Sequence, residues 1–386
     1  MLIFKQNFKM ERVIMASTLS RSSYLEKNVG DFPTEITIGG RRYVKVDDLR
    51  YGTNPHQPAC YYKPADVVCP IGDMEILKNG KNGLSQTNLE DISGALNIVK
   101  FCEAPACAVM KHVNPSGAAV SNGAESLREV YLKAKNADAR AAFGSVIAFN
   151  VEVDVDTAKE IMSSFVECVV APAFAPGVLE VFNDGETFKL NRHIRIVKCG
   201  NIGDLPRYTG EAKPEHFTLK VLGDGSLIAA APLTTSLRTT DDLKPAVGSN
   251  ARCGEQRSSI SATPEQLRDL LFAWHVNLSV RSNGVVIVQN GQTLSVGTGE
   301  QDRVGAIEQA IAKFKQKYQG EGTLAGSVMA SDGFFPFADG VETAAAAGVS
   351  AIIAPAGSLR DAEVIRRANE LGVALYHAPE RIFSHH

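Results

Sequence analysis

Short apolar runs alternate with amphipathic stretches along most of this chain. The uncharged runs predict buried strands, and in the first half they occupy 107–110, 146–149 and 168–172. Between them, apolar side chains recur every three or four residues, which predicts helices that bury one face. These amphipathic stretches cover 88–101, 127–139 and 156–165. Strands and helices that alternate in this way are typical of a sheet with helices on both faces.

The same rhythm returns in the second half of the chain. An Asn290-Gly291 turn joins the apolar runs 285–288 and 294–296, which predicts a hairpin. Helices are predicted at 266–276, 301–317, 340–347 and 361–371, and strands at 350–355 and 373–377. We therefore divide the chain into a leader with a small hairpin (1–45), a first α/β unit (46–203), a connection (204–262) and a second α/β unit (263–386).

Composition excludes several classes of protein. The 386 residues are 44% hydrophobic and 22% charged, as in ordinary globular proteins. A net charge of −3 offers no basic surface for nucleic acid, and no apolar run has the length of a membrane span. The seven cysteines include no C-x-x-C pair, which favours free thiols and a cytoplasmic location. A G-x-x-x-x-G-K-[ST] motif is missing, which excludes an ATP-dependent ligase of the P-loop type.

Reactive side chains follow the strand predicted at 107–110. Lys111 and His112 come directly after it, and the next residues, Asn114 to Gly117, predict a turn. Ligands bind at the carboxyl ends of strands in open α/β sheets, so these two side chains stand where chemistry is usually done. A lysine beside a histidine can divide proton transfer between an acid and a base. Taken alone, the pair has a simpler interpretation as a solvated loop.

A second polar loop lies near the start of the first unit. It contains Arg50, Tyr51, Gly52 and His56, and the aromatic pair 61–62 follows it. Arginine binds anions through two parallel hydrogen bonds, and aromatic rings stack on flat ligands. The loop therefore predicts a ligand with an anionic group and a planar ring.

The segments LRYGTNPHQ (49–57) and KHVNPSG (111–117) resemble the AICAR transformylase family, the C-terminal half of the bifunctional purine-biosynthesis enzymes. The similarity covers about 49–386. It implies an α/β fold of duplicated cytidine-deaminase-like three-layer units. We expect no zinc site, because the chain has neither H-x-E nor P-C-x-x-C. The upstream domain that closes the purine ring is expected to be missing, and with it IMP cyclohydrolase activity.

The resemblance implies transfer of the formyl group of 10-formyltetrahydrofolate to the 5-amino group of AICAR. That gives FAICAR and tetrahydrofolate in IMP biosynthesis. His112 suits the base, because imidazole titrates near neutral pH. Lys111 either stabilises the oxyanion or protonates the leaving nitrogen, and the sequence leaves this open. Asn283 matches the third polar catalytic residue, although an Asn-Gly pair alone would indicate only a turn.

Further residues match ligand contacts of the family. The AICAR-binding residues implied are Arg50, Tyr51, Gly52, Asn88, Gly144, Glu167, Arg303, Phe334 and Arg381. The residues implied near folate are Val304, Asp339, Ser358 and Leu359. His385 matches a terminal histidine of the family. The loop 334–337 carries three phenylalanines, which predict a stacking wall for flat rings, with burial of at least one ring as the alternative.

The resemblance also implies a homodimer with the active site at the subunit interface. The partners expected are therefore AICAR, the folate and a second copy of the chain, with no nucleic acid and no membrane. An alternative is a regulatory protein that binds AICAR without turnover. The joint presence of Lys111, His112 and Asn283 favours the enzyme.

Overall fold

The computed structural model describes residues 24, 26–318 and 322–385. Most of the predicted leader lies outside these residues. The small hairpin predicted at its end is present as β1 (Glu35–Ile38) and β2 (Arg41–Asp48), and β3 (Cys60–Pro64) adds a third antiparallel strand. Within the described residues, no helix combines the length and apolar character needed to cross a membrane.

The first α/β unit begins with an edge strand and continues through five helices. Its elements are β4 (Glu75–Asn79), α1 (Gln86–Val99), β5 (Ala106–Lys111), β6 (Asn114–Val120), α2 (Leu127–Ala137), α3 (Ala139–Ala142), β7 (Ser145–Phe149), α4 (Val155–Met162), β8 (Val166–Ala171), α5 (Val178–Asn183) and β9 (Arg195–Lys198). Serine or aspartate side chains cap the amino ends of α1, α2, α3 and α4. These caps fix where each helix starts after its strand or loop.

The connection (204–262) folds into short strands. It forms two small hairpins and a short edge strand: β10 (Thr218–Val221), β11 (Leu227–Ala230), β12 (Lys244–Pro245), β13 (Val247–Asn250) and β14 (Gly254–Arg257). β12 pairs with the last strand of the second unit. The connection is therefore joined to the main sheet.

The second α/β unit starts at a Thr263 cap followed by proline, a strong helix start. Its elements are α6 (Pro264–Asn277), β15 (Val285–Gln289), β16 (Gln292–Gly297), α7 (Arg303–Tyr318), β17 (Val328–Ser331), α8 (Asp339–Ala347), β18 (Ala351–Pro355), α9 (Asp361–Glu370) and β19 (Ala374–Ala378). These bounds agree with the predicted helices and strands to within a few residues.

Twelve strands form one mixed sheet in the order β12-β19-β18-β17-β15-β16-β6-β5-β7-β8-β9-β4. The strands at its centre are antiparallel, whereas β7-β8-β9 and β17-β18-β19 are parallel. The element order helix, hairpin, helix, strand, helix, strand, helix, strand occurs twice, from α1 to β9 and from α6 to β19, with α3 as an addition in the first unit. The predicted α/β class is confirmed.

Side chains alternate between the two faces of this sheet. Ala108 and Met110 of β5 face a core shared with α1 and α6, whereas Cys107 and Val109 face α2 and α4. A third core lies under α7, α8 and α9. Helices therefore cover both faces, and the strand ends carry the polar residues considered next.

Candidate functional site

The turn between β5 and β6 carries His112. We predicted the turn at Asn114 to Gly117, and that prediction is wrong, because these residues form the start of β6 and the turn is His112-Val113. Pairing overrides the local turn signal: Pro115 sits at a register shift opposite Met110, and Gly117 is needed for close packing, since a Cβ there would collide with the carbonyl of Ala134. His112 is exposed at the tip.

Lys111 reaches back toward the loop before β7. Its Nζ donates to the carbonyl oxygens of Phe143 at 2.6 Å and Gly144 at 3.0 Å. Gly144 has φ of +72°, and a Cβ there would lie 3.0 Å from the ammonium. Two residues predicted for the site are thus in contact. An ammonium has three donors, so one remains for a ligand.

Asn114 joins the His112 turn to the second unit. Its Nδ2 donates to the carbonyl of His112 at 3.2 Å. Its Oδ1 accepts from the amide of Arg281 at 3.0 Å and from the hydroxyl of Thr298 at 2.7 Å. Arg281 lies two residues before Asn283. One side chain therefore holds the segments of the Lys-His pair and of Asn283 beside each other.

Asn283 belongs to a buried polar cluster. Its Oδ1 accepts from Arg303 Nη2 at 2.7 Å, and its Nδ2 donates to the carbonyl of Glu300 at 2.9 Å. Arg303 Nη1 donates to Asp332 Oδ1 at 2.5 Å, and Asp332 is fully buried. The other carboxylate oxygen accepts from the amide of Gly284 at 2.8 Å. The amide of Asn283 keeps one donor and one acceptor position for a ligand.

The C-terminal residues lie against this cluster. The amide of Ser282 donates to the carbonyl of Ser384 at 3.0 Å. Arg381 is exposed, and its guanidinium carbon lies 4.4 Å from the centre of the Phe383 ring. His385 makes an edge contact with the same ring at 5.9 Å. The predicted terminal residues are therefore near the Asn283 segment.

A second polar cluster surrounds Arg50. This side chain is 6% exposed, its Nη2 donates to the Tyr51 hydroxyl at 3.0 Å, and among the described atoms its Nε has no acceptor. Arg195, 2% exposed, donates to a Glu167 carboxylate oxygen at 2.7 Å. Burial, and next the charge of Arg195, lower the pKa of Arg50. Two buried guanidiniums near a single carboxylate favour an anionic ligand.

Two further residues predicted to bind AICAR stabilise the local backbone. The amide of Gly52 donates to the carbonyl of Gln57 at 2.6 Å and closes the loop that follows Arg50. Asn88 is 6% exposed, and its side-chain oxygen accepts from the amide of Ser85 in the capping box of α1. Both residues shape the backbone beside the Arg50 cluster.

The residues predicted for folate lie on an open surface of the second unit. Phe334 is 39% exposed and Phe337 49%, whereas Phe335 is 3% exposed and packs in the core, as the alternative interpretation of this loop required. Leu359 is 94% exposed. Arg360 lies over the Phe337 ring at 4.6 Å. Val304 and Ser358 are half-buried, and Asp339 is exposed at the first position of α8.

A cleft of about 450 Å³ opens on the other side of the His112 turn. It is lined by Tyr61, Ile71, Val113, Ser384 and residues of α1 and of the segment after α6. Tyr61 belongs to the aromatic pair predicted for a planar ring, whereas Lys111, His112 and Asn283 do not line the cleft. Among the residues described here, no group of three histidine, cysteine or acidic side chains is placed to hold a metal ion. The residues predicted for the site are thus divided between two buried polar clusters and exposed turns and loops.

Comparison with known proteins identifies the family. A sequence model of the AICARFT/IMPCHase bienzyme family matches residues 14–313. The chain belongs to this family. It is 37% identical over 369 residues to the bifunctional purine biosynthesis protein PurH of Acetivibrio thermocellus, an alignment that covers 94% of this chain and 64% of the relative. The chain therefore spans less than two thirds of that relative's length.

Sequence reasoning missed several polar residues of this AICARFT/IMPCHase bienzyme family member. Arg195 and Asp332 are buried ion-pair partners of predicted residues, and Asn114 holds the two segments together. One signal was present for Asp332, which directly follows the uncharged strand β17. Arg195 gave none, because Glu167 is distant in the sequence, and Asn114 stood in the motif 111–117 without an assigned role.

Proposed function

We propose that this chain transfers the formyl group of 10-formyltetrahydrofolate to the 5-amino group of AICAR, as part of purine biosynthesis. The observation that carries the proposal is the double contact of Asn114. It holds the turn that displays His112 beside the segment that displays Asn283. Membership of the AICARFT/IMPCHase bienzyme family and the match to the bifunctional PurH protein support a role in purine biosynthesis.

Each candidate has a chemical task in this reaction. The AICAR amine is a weak nucleophile, so a base must take its proton as the nitrogen attacks the formyl carbon. His112, exposed on its turn, is that base. The bond from the formyl carbon to the folate nitrogen then breaks, and that nitrogen takes up a proton. Lys111, with one donor free of the Phe143 and Gly144 carbonyls, stabilises the oxyanion or supplies this proton.

The two clusters divide substrate recognition between them. The buried Arg50 and Arg195 favour the phosphate of AICAR, and Glu167 beside them suits hydroxyl groups of the ribose. Arg303, Phe334 and Arg381 complete the AICAR contacts in the proposal. Val304, Asp339, Ser358 and Leu359, together with the exposed rings of 334–337, form the folate surface.

Two architectural proposals accompany the reaction. The repeated element order supports two cytidine-deaminase-like units without zinc, at 46–203 and 263–386, joined by the connection 204–262. The exposure of His112, Arg381 and Leu359 supports a homodimer in which a second copy covers the open site. Mixing inactive His112→Ala and Arg381→Ala proteins tests this: activity regained on mixing supports a shared site, and none regained contradicts it.

The reaction is tested with purified protein, AICAR and 10-formyltetrahydrofolate, by the absorbance change on release of tetrahydrofolate. We expect turnover that falls by about 10²–10⁴-fold in His112→Ala. His216→Ala is the control, because the charged groups that act on His216 are Glu215, Lys213 and Lys100, none of which is predicted for the site. Tight AICAR binding without turnover in the wild type would instead support the regulatory alternative. Absence of IMP from added FAICAR stays a prediction, checked in the same preparation, as does the cytoplasmic location.

A further inference from the structure

The two α/β units carry an acidic residue at the same place. Asp91 lies five residues after the first residue of α1, and Asp269 lies five residues after the first residue of α6. Both are buried, at 5% and 7% exposed. Each faces the hairpin turn that follows its own helix. The same contact, between a buried aspartate and a hairpin turn, can therefore be compared in the two units.

In the second unit the contact holds an ordinary turn. The Asp269 carboxylate accepts from the amides of Asn290 and Gly291, both at 2.7 Å. These residues have φ of +54° and +68°. Asn-Gly is the preferred pair for such a turn, because both residues tolerate left-handed backbone. The sequence of this turn therefore favours its backbone conformation independently of Asp269.

In the first unit the same contact holds an unfavourable turn. The Asp91 carboxylate accepts from the amide of Val113 at 2.7 Å, and the backbone of His112 also bonds to it. His112 and Val113 have φ of +54° and +59°. A β-branched residue is rare in this region, since its Cβ crowds the backbone. Strain of this kind persists only where surrounding contacts impose it, and it occurs at functional sites.

We propose that Asp91 is a positioning residue, which holds the His112-Val113 turn in its left-handed form and so presents the His112 ring to substrate. The inference rests on the proposed function, in which His112 is the base. Asp91 itself is buried under the turn and acts through these backbone amides. Asn114 Nδ2 donates to the carbonyl of His112, so hydrogen bonds to both Asp91 and Asn114 hold the turn.

The contacts with the turn also affect the pKa of Asp91. Burial raises the pKa of Asp91, and the backbone hydrogen bonds from the turn act in the opposite direction. The same balance applies to Asp269: burial raises its pKa, and the hydrogen bonds from the turn amides lower it. The charge of His112 also lowers the pKa of Asp91, whereas Arg268 and Lys133 lower that of Asp269, so the two carboxylates match in burial and in their contacts with turn amides.

The test compares Asp91→Ala with Asp269→Ala in the full-length protein. For Asp91→Ala we expect kcat to fall roughly 10- to 100-fold, the effect of a misplaced reacting group, with both KM values within about twofold. Asp269→Ala should leave kcat within about twofold at a similar loss of melting temperature. Equal kcat in the two variants would overturn the proposal.

Two further variants separate positioning from charge and from folding. Asp91→Asn keeps an oxygen that accepts from the Val113 amide, and it should restore most of kcat. Val113→Gly added to Asp91→Ala relieves the strain, and it should recover part of kcat. An Asp91→Asn protein as slow as Asp91→Ala would overturn the proposal, because charge and not geometry would then matter.

A measurement that needs no substrate tests the role of Asp91 independently of the proposed reaction. A wild-type protein that fails to turn over would refute the proposed function alone. Hydrogen exchange would then decide the role of Asp91. Exchange of the Val113 amide should accelerate more in Asp91→Ala than exchange of the Gly291 amide does in Asp269→Ala. Equal acceleration at the two turns would overturn the positioning role.

Discussion

Replacing Asp332 with asparagine removes the charge partner of Arg303 in a fully buried position. The two side chains are 0% and 6% exposed, and Arg303 Nη1 lies 2.5 Å from the carboxylate. The same carboxylate accepts from the amide of Gly284 and from the hydroxyl of Ser282. The NH2 group of an asparagine would face one of these hydrogen-bond donors, and the guanidinium would lose its counter-charge. Breaking a buried pair costs about 3–5 kcal/mol, and we expect about 3 kcal/mol here, because the shape is kept.

An exposed pair of nearly the same length provides the control. Arg192 Nη2 lies 2.6 Å from Glu186, but these side chains are 57% and 85% exposed. Such pairs contribute about 0–1 kcal/mol, so Glu186→Gln should change the free energy of unfolding by less than 1 kcal/mol. Burial and not distance is thus predicted to set the energy of each pair.

Urea denaturation measures both variants. The fluorescence of Trp274, the single tryptophan and fully buried in α6, reports unfolding of the second unit, and circular dichroism reports the whole chain. Because Arg303 also donates to Asn283, kcat should fall in Asp332→Asn and stay unchanged in Glu186→Gln. Free energies of unfolding that differ by less than about 1 kcal/mol between the two variants would refute the reasoning.

Three further predictions follow from single positions. His275 is 5% exposed, and burial lowers its pKa to about 4 from 6.5. The unfolded state therefore binds the proton first, and stability is lost as the pH falls from 6.5 to 4. His275→Gln should flatten that loss, by up to about 3 kcal/mol, in urea titrations at both pH values; an unchanged slope would contradict it. Arg50→Lys should raise KM for AICAR about tenfold with little change in kcat, since lysine lacks the guanidinium fork; an unaltered KM in steady-state assays would count against the phosphate role. Gly144→Ala should lower kcat by crowding Lys111, whereas Gly210→Ala, also at positive φ but in open space, should lower only the melting temperature.

Local signals in the sequence were enough for most elements. The hairpin around Asn290-Gly291 was predicted because that pair prefers the turn it forms. The His112-Val113 turn was missed because neither residue favours left-handed backbone, and because the turn-forming residues that follow it are used in a strand. Pairing with β5 and the contact from Asp91 decide the conformation there, and both involve residues distant in the sequence.

The candidate site shows the same limit. The sequence placed Lys111, His112 and Asn283 at strand ends, and the structure agrees, while their roles in catalysis stay predictions. It could not place Gly144 against Lys111 or Arg195 beside Arg50, since these contacts join segments that only the sheet order brings together. The sequence around exposed residues such as Leu359 has no pattern that indicates a function, so their predicted role came only from the family resemblance.

The strands β6 and β16 meet in the middle of the sheet, and this junction joins the two α/β units. Val120 donates to the carbonyl of Gly291 at 2.8 Å, and Thr293 bonds both the amide and the carbonyl of Ala118, at 2.9 and 3.1 Å. A hinge between the two halves would have to open this seam in the core. In the proposed reaction, ligands would therefore enter and leave past the aromatic loop at 334–337 and the chain end, and the rate of product release should respond to substitutions there and not along the seam.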